Sequence, residues 1–220
     1  MDNLQKMADI FERPFSTNCY DGILASQQPY NIELGSRNIL ISAPHSVNHL
    51  RNGQVKEADV YTGTIAKIIH TYTNAFCIYG TKIYDEDPNF TIGGQYKSAI
   101  QDLCNQYPIQ MVIDLHGAAI HREFDIDLGT MHGQSIGPES VKKMRGIFMK
   151  NQLSDVRVND TFPASTPGTI TYFSKRELKI DAIQMEINCK YRNPKYDLQS
   201  FTLLIRSLVD IVNDFGKGNK

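Results

Sequence analysis

The sequence predicts an α/β protein: a three-layer α/β/α domain with a mostly parallel, mixed central sheet. Short apolar runs alternate along the chain with amphipathic segments, as in sheets that helices cover on both faces. Histidines follow or end two of these runs, at the strand ends where such sheets bind ligands. The 220 residues suit a single domain over 1–220, with residues 14–37 as an N-terminal hairpin or edge region and 38–215 as the core.

Each element is predicted from local periodicity. In the turn-rich 14–37, Asp21-Gly22 and Gly35-Ser36 mark turns. In the predicted helix over 59–72, Val60, Ile65 and Ile69 share one face at helical spacing. Strands are predicted over 38–43, 75–79, 111–115, 124–130, 155–159 and 180–187, and helices over 59–72, 94–106, 137–151 and 196–214.

Composition narrows the function classes. The net charge of −1 gives no field that favours nucleic acid or an anionic membrane. No window approaches ~18 consecutive apolar residues, and the N-terminus lacks a signal-peptide apolar core. The cysteines (Cys19, Cys77, Cys104 and Cys189) form no Cys-x-x-Cys pair and are expected to be reduced thiols. We therefore expect a cytoplasmic protein without nucleic-acid or membrane partners, and the sequence predicts no oligomeric state.

Two strand ends carry histidines. His45 follows the apolar run in NILISAPHSV, and His116 ends the run in MVIDLHGAA. Between them, Glu57 and Asp59 precede a helix, where an acid also suits the helix dipole. Two imidazoles and one carboxylate are the ligands of a catalytic zinc. The sequence therefore predicts one zinc per chain, with cobalt, manganese or nickel as alternatives, and leaves open which acid is the ligand.

Further acids support this interpretation. Asp114 lies two residues before His116, on the same strand face, and could accept the N–H of that imidazole. Asp127 in FDIDLGT is a second candidate for such support. Glu186 lies inside the apolar run AIQMEIN, where an unpaired carboxylate is costly to bury. Either Lys190 or Arg192 pairs with it, or it is the general base for metal-bound water, which we favour.

Five segments in order resemble the N-formylglutamate amidohydrolase family: SAPHSV (42–47), KEADVYTG (56–63), DLHGA (114–118), DIDLGT (125–130) and QMEIN (184–188). That family is similar in fold to zinc carboxypeptidases, aspartoacylases and phage poly-γ-glutamate hydrolases. The resemblance implies a zinc-carboxypeptidase-like fold, of the phosphorylase/hydrolase-like type, and a zinc-dependent hydrolase of an amide C–N bond. It implies His45, Asp59 and His116 as ligands, with Glu57 as the alternative acid, and Glu186 as the catalytic glutamate.

The resemblance also implies a carboxylate-bearing small molecule or short peptide as substrate. Arg122 resembles the residue that grips the substrate carboxylate, with Arg51 as a second candidate, and either could stabilise an oxyanion. Rim loops are expected at Asp87–Asn89 and Pro167–Thr171, and one of His121 and His132 is expected to touch substrate. The family's Asn-Arg pair is absent in its usual form, so an N-acyl amino acid other than formylglutamate is expected. Alternatives are a γ-glutamyl or cell-wall peptidase and a non-catalytic metal-binding protein.

Overall fold

The chain folds around one large sheet and a small β-ribbon. The computed structural model describes residues 2–216, so residues 1 and 217–220 of the predicted domain lie outside the described part. The strands are β1 (Tyr30–Glu33), β2 (Arg37–Ala43), β3 (His49–Arg51), β4 (Gln54–Lys56), β5 (Ala75–Gly80), β6 (Met111–Ala118), β7 (Ile126–Gly129), β8 (Val156–Val158) and β9 (Asp181–Asn188). The helices are α1 (Asp2–Ser16), α2 (Thr62–Thr73), α3 (Gln95–Gln106), α4 (Pro138–Lys150), α5 (Ile170–Arg176), α6 (Cys189–Arg192) and α7 (Leu198–Phe215).

The large sheet has the order β1-β5-β2-β6-β9-β7-β8. Its four central strands, β5, β2, β6 and β9, are parallel. At one edge β1 runs antiparallel to β5, and at the other β7 runs antiparallel to β9 and parallel to β8. The predicted three-layer fold with a mostly parallel mixed sheet is therefore confirmed.

Both faces of the sheet are buried, which explains the continuous apolar runs of its central strands. Ile39 and Ile41 of β2 face the core that α2 and α7 complete. Leu40, between them, faces the opposite core beside α3 and α5. Because neighbouring strand residues point to opposite faces, a strand covered on both sides must be apolar at every position.

Residues 14–37 were predicted as a hairpin or an edge region, and the structure has the edge: β1 is an edge strand, and no hairpin lies within this range. Helix α1, which was not predicted, reaches Ser16. The buried side of α1, with Leu4, Ala8 and Phe15, belongs to the core around α2. These three residues lie on one face at helical spacing, so the periodicity of the sequence did carry a signal for this helix.

Three other elements were also not predicted. The ribbon β3–β4 turns at Asn52-Gly53, both with positive φ, in a range where the sequence predicted neither strand nor helix. The short helices α5 and α6 follow later in the chain. None of the helices within residues 2–216 is both long and apolar enough to cross a bilayer.

Candidate active site

The central strands bring three predicted residues to one edge of the sheet. His116 lies in β6 opposite Glu186 of β9 in the parallel register. His45 follows the end of β2, the neighbour of β6 on the other side. All three line one cavity of about 600 Å³. The carboxyl ends of adjacent parallel strands thus form the site, as expected for this kind of sheet.

Asp59 lies between the two imidazoles. Its Oδ2 is 3.3 Å from Nδ1 of His45 and 3.3 Å from Nδ1 of His116. The turn before α2 fixes this position, because Asp59 N–H donates to the His45 carbonyl and Thr62 Oγ1 donates to the Asp59 carbonyl. Burial opposes ionisation, but the bonds from both imidazoles outweigh it and hold the pKa of Asp59 well below its usual range.

This donor set fits a divalent metal. One nitrogen from each histidine and one Asp59 oxygen lie within 4.8 Å of one another. Two imidazoles and a carboxylate are the usual protein ligands of a catalytic zinc. Glu57, the alternative acid, lies on the exposed cavity wall and is outside this cluster.

The outer nitrogen of each histidine is bound to a buried aspartate. Nε2 of His116 is 2.8 Å from Asp114 Oδ2, and Nε2 of His45 is 2.8 Å from Asp87 Oδ1. Such carboxylates orient ligand imidazoles and leave the other nitrogen free for a metal. The sequence indicated Asp114, whereas it placed Asp87 only in a rim loop.

Glu186 lies beside this cluster with only 7% of its surface exposed. Burial raises its pKa to about 7, although the imidazole of His116 opposes the shift. Neither basic neighbour in sequence pairs with it: Lys190 Nζ contacts Asp125, 2.6 Å away, and Arg192 binds backbone carbonyls. The carboxylate therefore lines the cavity without a basic partner, and its pKa lies near neutral pH.

This raised pKa predicts a pH-dependent stability in metal-free protein. An unfolded glutamate titrates near 4.3, so between about pH 4.5 and 7 the folded state binds more protons, and stability falls as pH rises. Between pH 5 and pH 8, wild type should lose on the order of 3 kcal/mol relative to Glu186→Gln, which stays neutral. Urea unfolding with a chelator measures this. A difference that is the same at both pH values contradicts the prediction.

The two predicted arginines both line the cavity. Arg122 is exposed, and its guanidinium carbon is 5.4 Å from the centre of the Phe162 ring. No carboxylate within residues 2–216 forms an ion pair with it. In contrast, Arg51 Nε donates to Asp87 Oδ2 at 2.6 Å. Arg122 and the exposed Lys56, which also lines the cavity, are thus cations that form no ion pair within residues 2–216.

Asp127 has other hydrogen-bond partners than the ligand imidazole for which it was a candidate. It contacts neither imidazole, and instead its carboxylate accepts the backbone N–H groups of Asp160, Thr161 and Phe162 at 2.8–3.1 Å. Thr161 and Phe162 line the cavity. Asp127 therefore fixes a wall of the cavity, since cross-strand pairing with Glu186 places it at the same sheet edge.

The histidine that joins the cluster is one that the sequence did not indicate. His121 and His132 are exposed and do not line the cavity. His49 is buried, and its ring stacks on that of His45 with centroids 4.0 Å apart. Its Nε2 is 3.3 Å from Asp87 Oδ2. Only the fold of the β3–β4 ribbon brings His49 here, so strand-end reasoning missed it.

Arg192 connects the chain segments that carry the site. Its buried guanidinium donates to the carbonyls of Ile187 (2.9 Å), Ala118 (3.2 Å) and Val60. These carbonyls lie one or two residues after Glu186, His116 and Asp59. The guanidinium packs directly on β6, since a Cβ added at Gly117 would lie 2.5 Å from its central carbon.

The chain matches no protein-family model and no curated protein sequence. Solved structures share its fold. N-formylglutamate amidohydrolase from Ralstonia eutropha JMP134 is 13% identical with a TM-score of 0.59, over 87% of this chain and 99% of that chain. A bacteriophage poly-gamma-glutamate hydrolase is 14% identical with a TM-score of 0.56, over 87% and 91%. The gene product Atu2144 from Agrobacterium tumefaciens is 11% identical with a TM-score of 0.61, over 86% and 95%.

At these identities the similarity establishes the fold. It confirms the zinc-carboxypeptidase-like fold that the sequence resemblance implied, with N-formylglutamate amidohydrolase and poly-gamma-glutamate hydrolase among the proteins that share it.

Proposed function

We propose that this chain is a metal-dependent amidohydrolase that cleaves the C–N bond of an N-acyl amino acid or a peptide-like substrate. The observation that carries the proposal is the position of Asp59 between the inner nitrogens of His45 and His116, in the cavity that Glu186 also lines. Two proteins that share the fold are named as an amidohydrolase and a hydrolase of glutamate-based compounds, which supports the class.

His45, Asp59 and His116 would hold the metal, and zinc is the expected ion. When bound, zinc would supply Lewis-acid polarisation of the carbonyl and would acidify water. Asp87 and Asp114 hold the histidines in the tautomer that this requires, with Nδ1 turned toward Asp59.

Glu186 moves the proton. Its carboxylate accepts a proton from the attacking water and then gives that proton to the departing nitrogen. A group that does both works best when its pKa lies near the operating pH, and burial shifts the pKa of Glu186 in that direction.

Arg122 binds the substrate carboxylate. Its planar guanidinium pairs bidentately with carboxylates, and it faces the cavity without an ion-pair partner among the described residues. Arg51 is the second cation, and its Nε is already bound to Asp87. The cavity has a volume of about 600 Å³, which is larger than a minimal N-acyl amino acid requires. A γ-glutamyl or cell-wall peptide is therefore the alternative substrate.

We expect about one metal ion per chain in the wild type and less than a tenth of that in His116→Ala, because two remaining ligands bind weakly. Elemental analysis of protein purified without added metal measures this. His121→Ala, which removes an exposed histidine outside the cavity, should keep the wild-type content. Wild type without metal after incubation with zinc contradicts the proposal.

The substrate is then identified by measuring which candidate compounds the metal-loaded protein hydrolyses. Hydrolysis of N-acyl acidic amino acids is compared with that of γ-glutamyl and cell-wall dipeptides, and Arg122→Met should raise KM for the carboxylate-bearing members. Metal binding without turnover of any amide would indicate the non-catalytic metal-binding protein instead.

A further inference from the structure

A row of hydrogen bonds leads from helix α5 to Glu186. The backbone N–H of Ile170 donates to Asn89 Oδ1 at 2.8 Å. Asn89 Nδ2 donates to Gln184 Oε1 at 3.2 Å, and Gln184 Nε2 donates to Glu186 Oε1 at 3.0 Å. Two side-chain amides thus connect a helix N-terminus to the carboxylate that we assign as the base.

One backbone donor fixes the orientation of both amides. A backbone N–H can only donate, so the Asn89 atom that faces Ile170 must be its oxygen. The Asn89 nitrogen therefore faces Gln184, which must present its oxygen there. The Gln184 nitrogen is left to face Glu186, and an N–H donor stabilises the ionised carboxylate.

The surroundings hold this row in place. Asp87 Oδ1 accepts the Asn89 backbone N–H at 2.9 Å, and the buried Lys97 ammonium donates to the carbonyls of Pro88 and Thr91. A Cβ added at Gly168 would lie 1.8 Å from the Phe90 carbonyl oxygen. The loop of Asn89 and the segment before α5 are therefore in direct contact, with no room for displacement.

We propose that Gln184 is a positioning residue that holds the Glu186 carboxylate in its reactive orientation, and that Asn89 sets the direction of this hydrogen bond. The proposal rests on the proposed function of Glu186 as the base. Both amides line the cavity, and in this proposal Gln184 acts through Glu186 and Asn89 acts through Gln184. Asn89→Asp should therefore reverse the row: aspartate still accepts from Ile170, but it cannot donate to Gln184. The Gln184 amide then turns its oxygen toward Glu186.

We expect Asn89→Asp to lower kcat about 10- to 100-fold, the value of one hydrogen bond to a charged group, with KM within about threefold and the metal content unchanged. Gln184→Met should lower kcat by a similar factor. In the Gln184→Met background, Asn89→Asp should have less than about a twofold further effect, because no amide remains to reverse. Asn52→Asp, at the exposed ribbon turn, controls for the added charge.

An equal fall in kcat from Asn89→Asp in both backgrounds would overturn the proposal. A second readout does not need activity: the urea midpoint of the double variant should fall by less than the sum of the two single shifts, as expected for residues in one network. Additive shifts would also overturn it. If the wild type hydrolyses no amide, the proposed function fails, and the urea midpoints still decide whether the row exists.

Discussion

Glu186→Gln is expected to lower kcat by about 10²- to 10⁴-fold, the usual contribution of a general acid–base group. Of the three acids that line the cavity, Asp59 lies between the imidazoles and Glu57 is exposed, so Glu186 is the buried acid that remains to move a proton. Glutamine keeps the shape of the side chain and cannot accept the proton. KM and metal content should therefore stay close to those of the wild type, as measured by steady-state kinetics and elemental analysis.

Glu57→Gln makes the same chemical change on the exposed wall of the cavity and should leave kcat within about twofold. The metal content of Glu57→Gln also decides between Asp59 and Glu57 as the acid ligand. Loss of metal in Glu57→Gln would move the ligand role from Asp59 to Glu57. An unchanged kcat in Glu186→Gln would remove Glu186 from the mechanism.

Much of this site was predictable because it lies at strand ends. A buried strand such as β6 has no packing reason to contain Asp114 and His116, so these residues indicated a ligand site before the fold was known. Two-residue spacing placed both side chains on one face, and they are 2.8 Å apart in the structure. The same reasoning indicated His45 and Glu186, whereas it left Glu57 and Asp59 open and only the family resemblance favoured Asp59; the fold brings His45, Asp59 and Glu186 into one cavity.

The remaining residues depend on contacts between distant segments. Asp87 lies 42 residues from His45, in a loop with no periodicity that points toward the site. His49 reaches the cluster only because β3 and β4 form a ribbon. Asp127 was a candidate acceptor for a ligand imidazole, whereas its carboxylate binds backbone N–H groups of residues 160–162. Sequence pattern shows the direction of a side chain and not which backbone groups lie opposite it.

The contacts of Arg192 likewise join segments that are distant in the sequence. The sequence suggested it as an ion-pair partner of Glu186, whereas its guanidinium binds the three carbonyls beside the segments that carry Asp59, His116 and Glu186. A planar group with five N–H donors can bind three acceptors at once, which the ammonium of lysine does with less fixed geometry. The residue therefore holds together the segments that carry Asp59, His116 and Glu186.

Arg192→Met is expected to reduce the free energy of unfolding by on the order of 3 kcal/mol, because it leaves two buried carbonyls and one partly buried carbonyl without a charged donor. It should also weaken zinc binding in a chelator competition, since the segments of Asp59 and His116 lose their common anchor. Arg192→Lys should recover part of both losses. Arg206→Met, on the exposed side of α7, should change stability by less than about 0.5 kcal/mol. If Arg192→Met unfolds at the same urea concentration as Arg206→Met, the three carbonyls are satisfied in another way, and Arg192 does not organise the site.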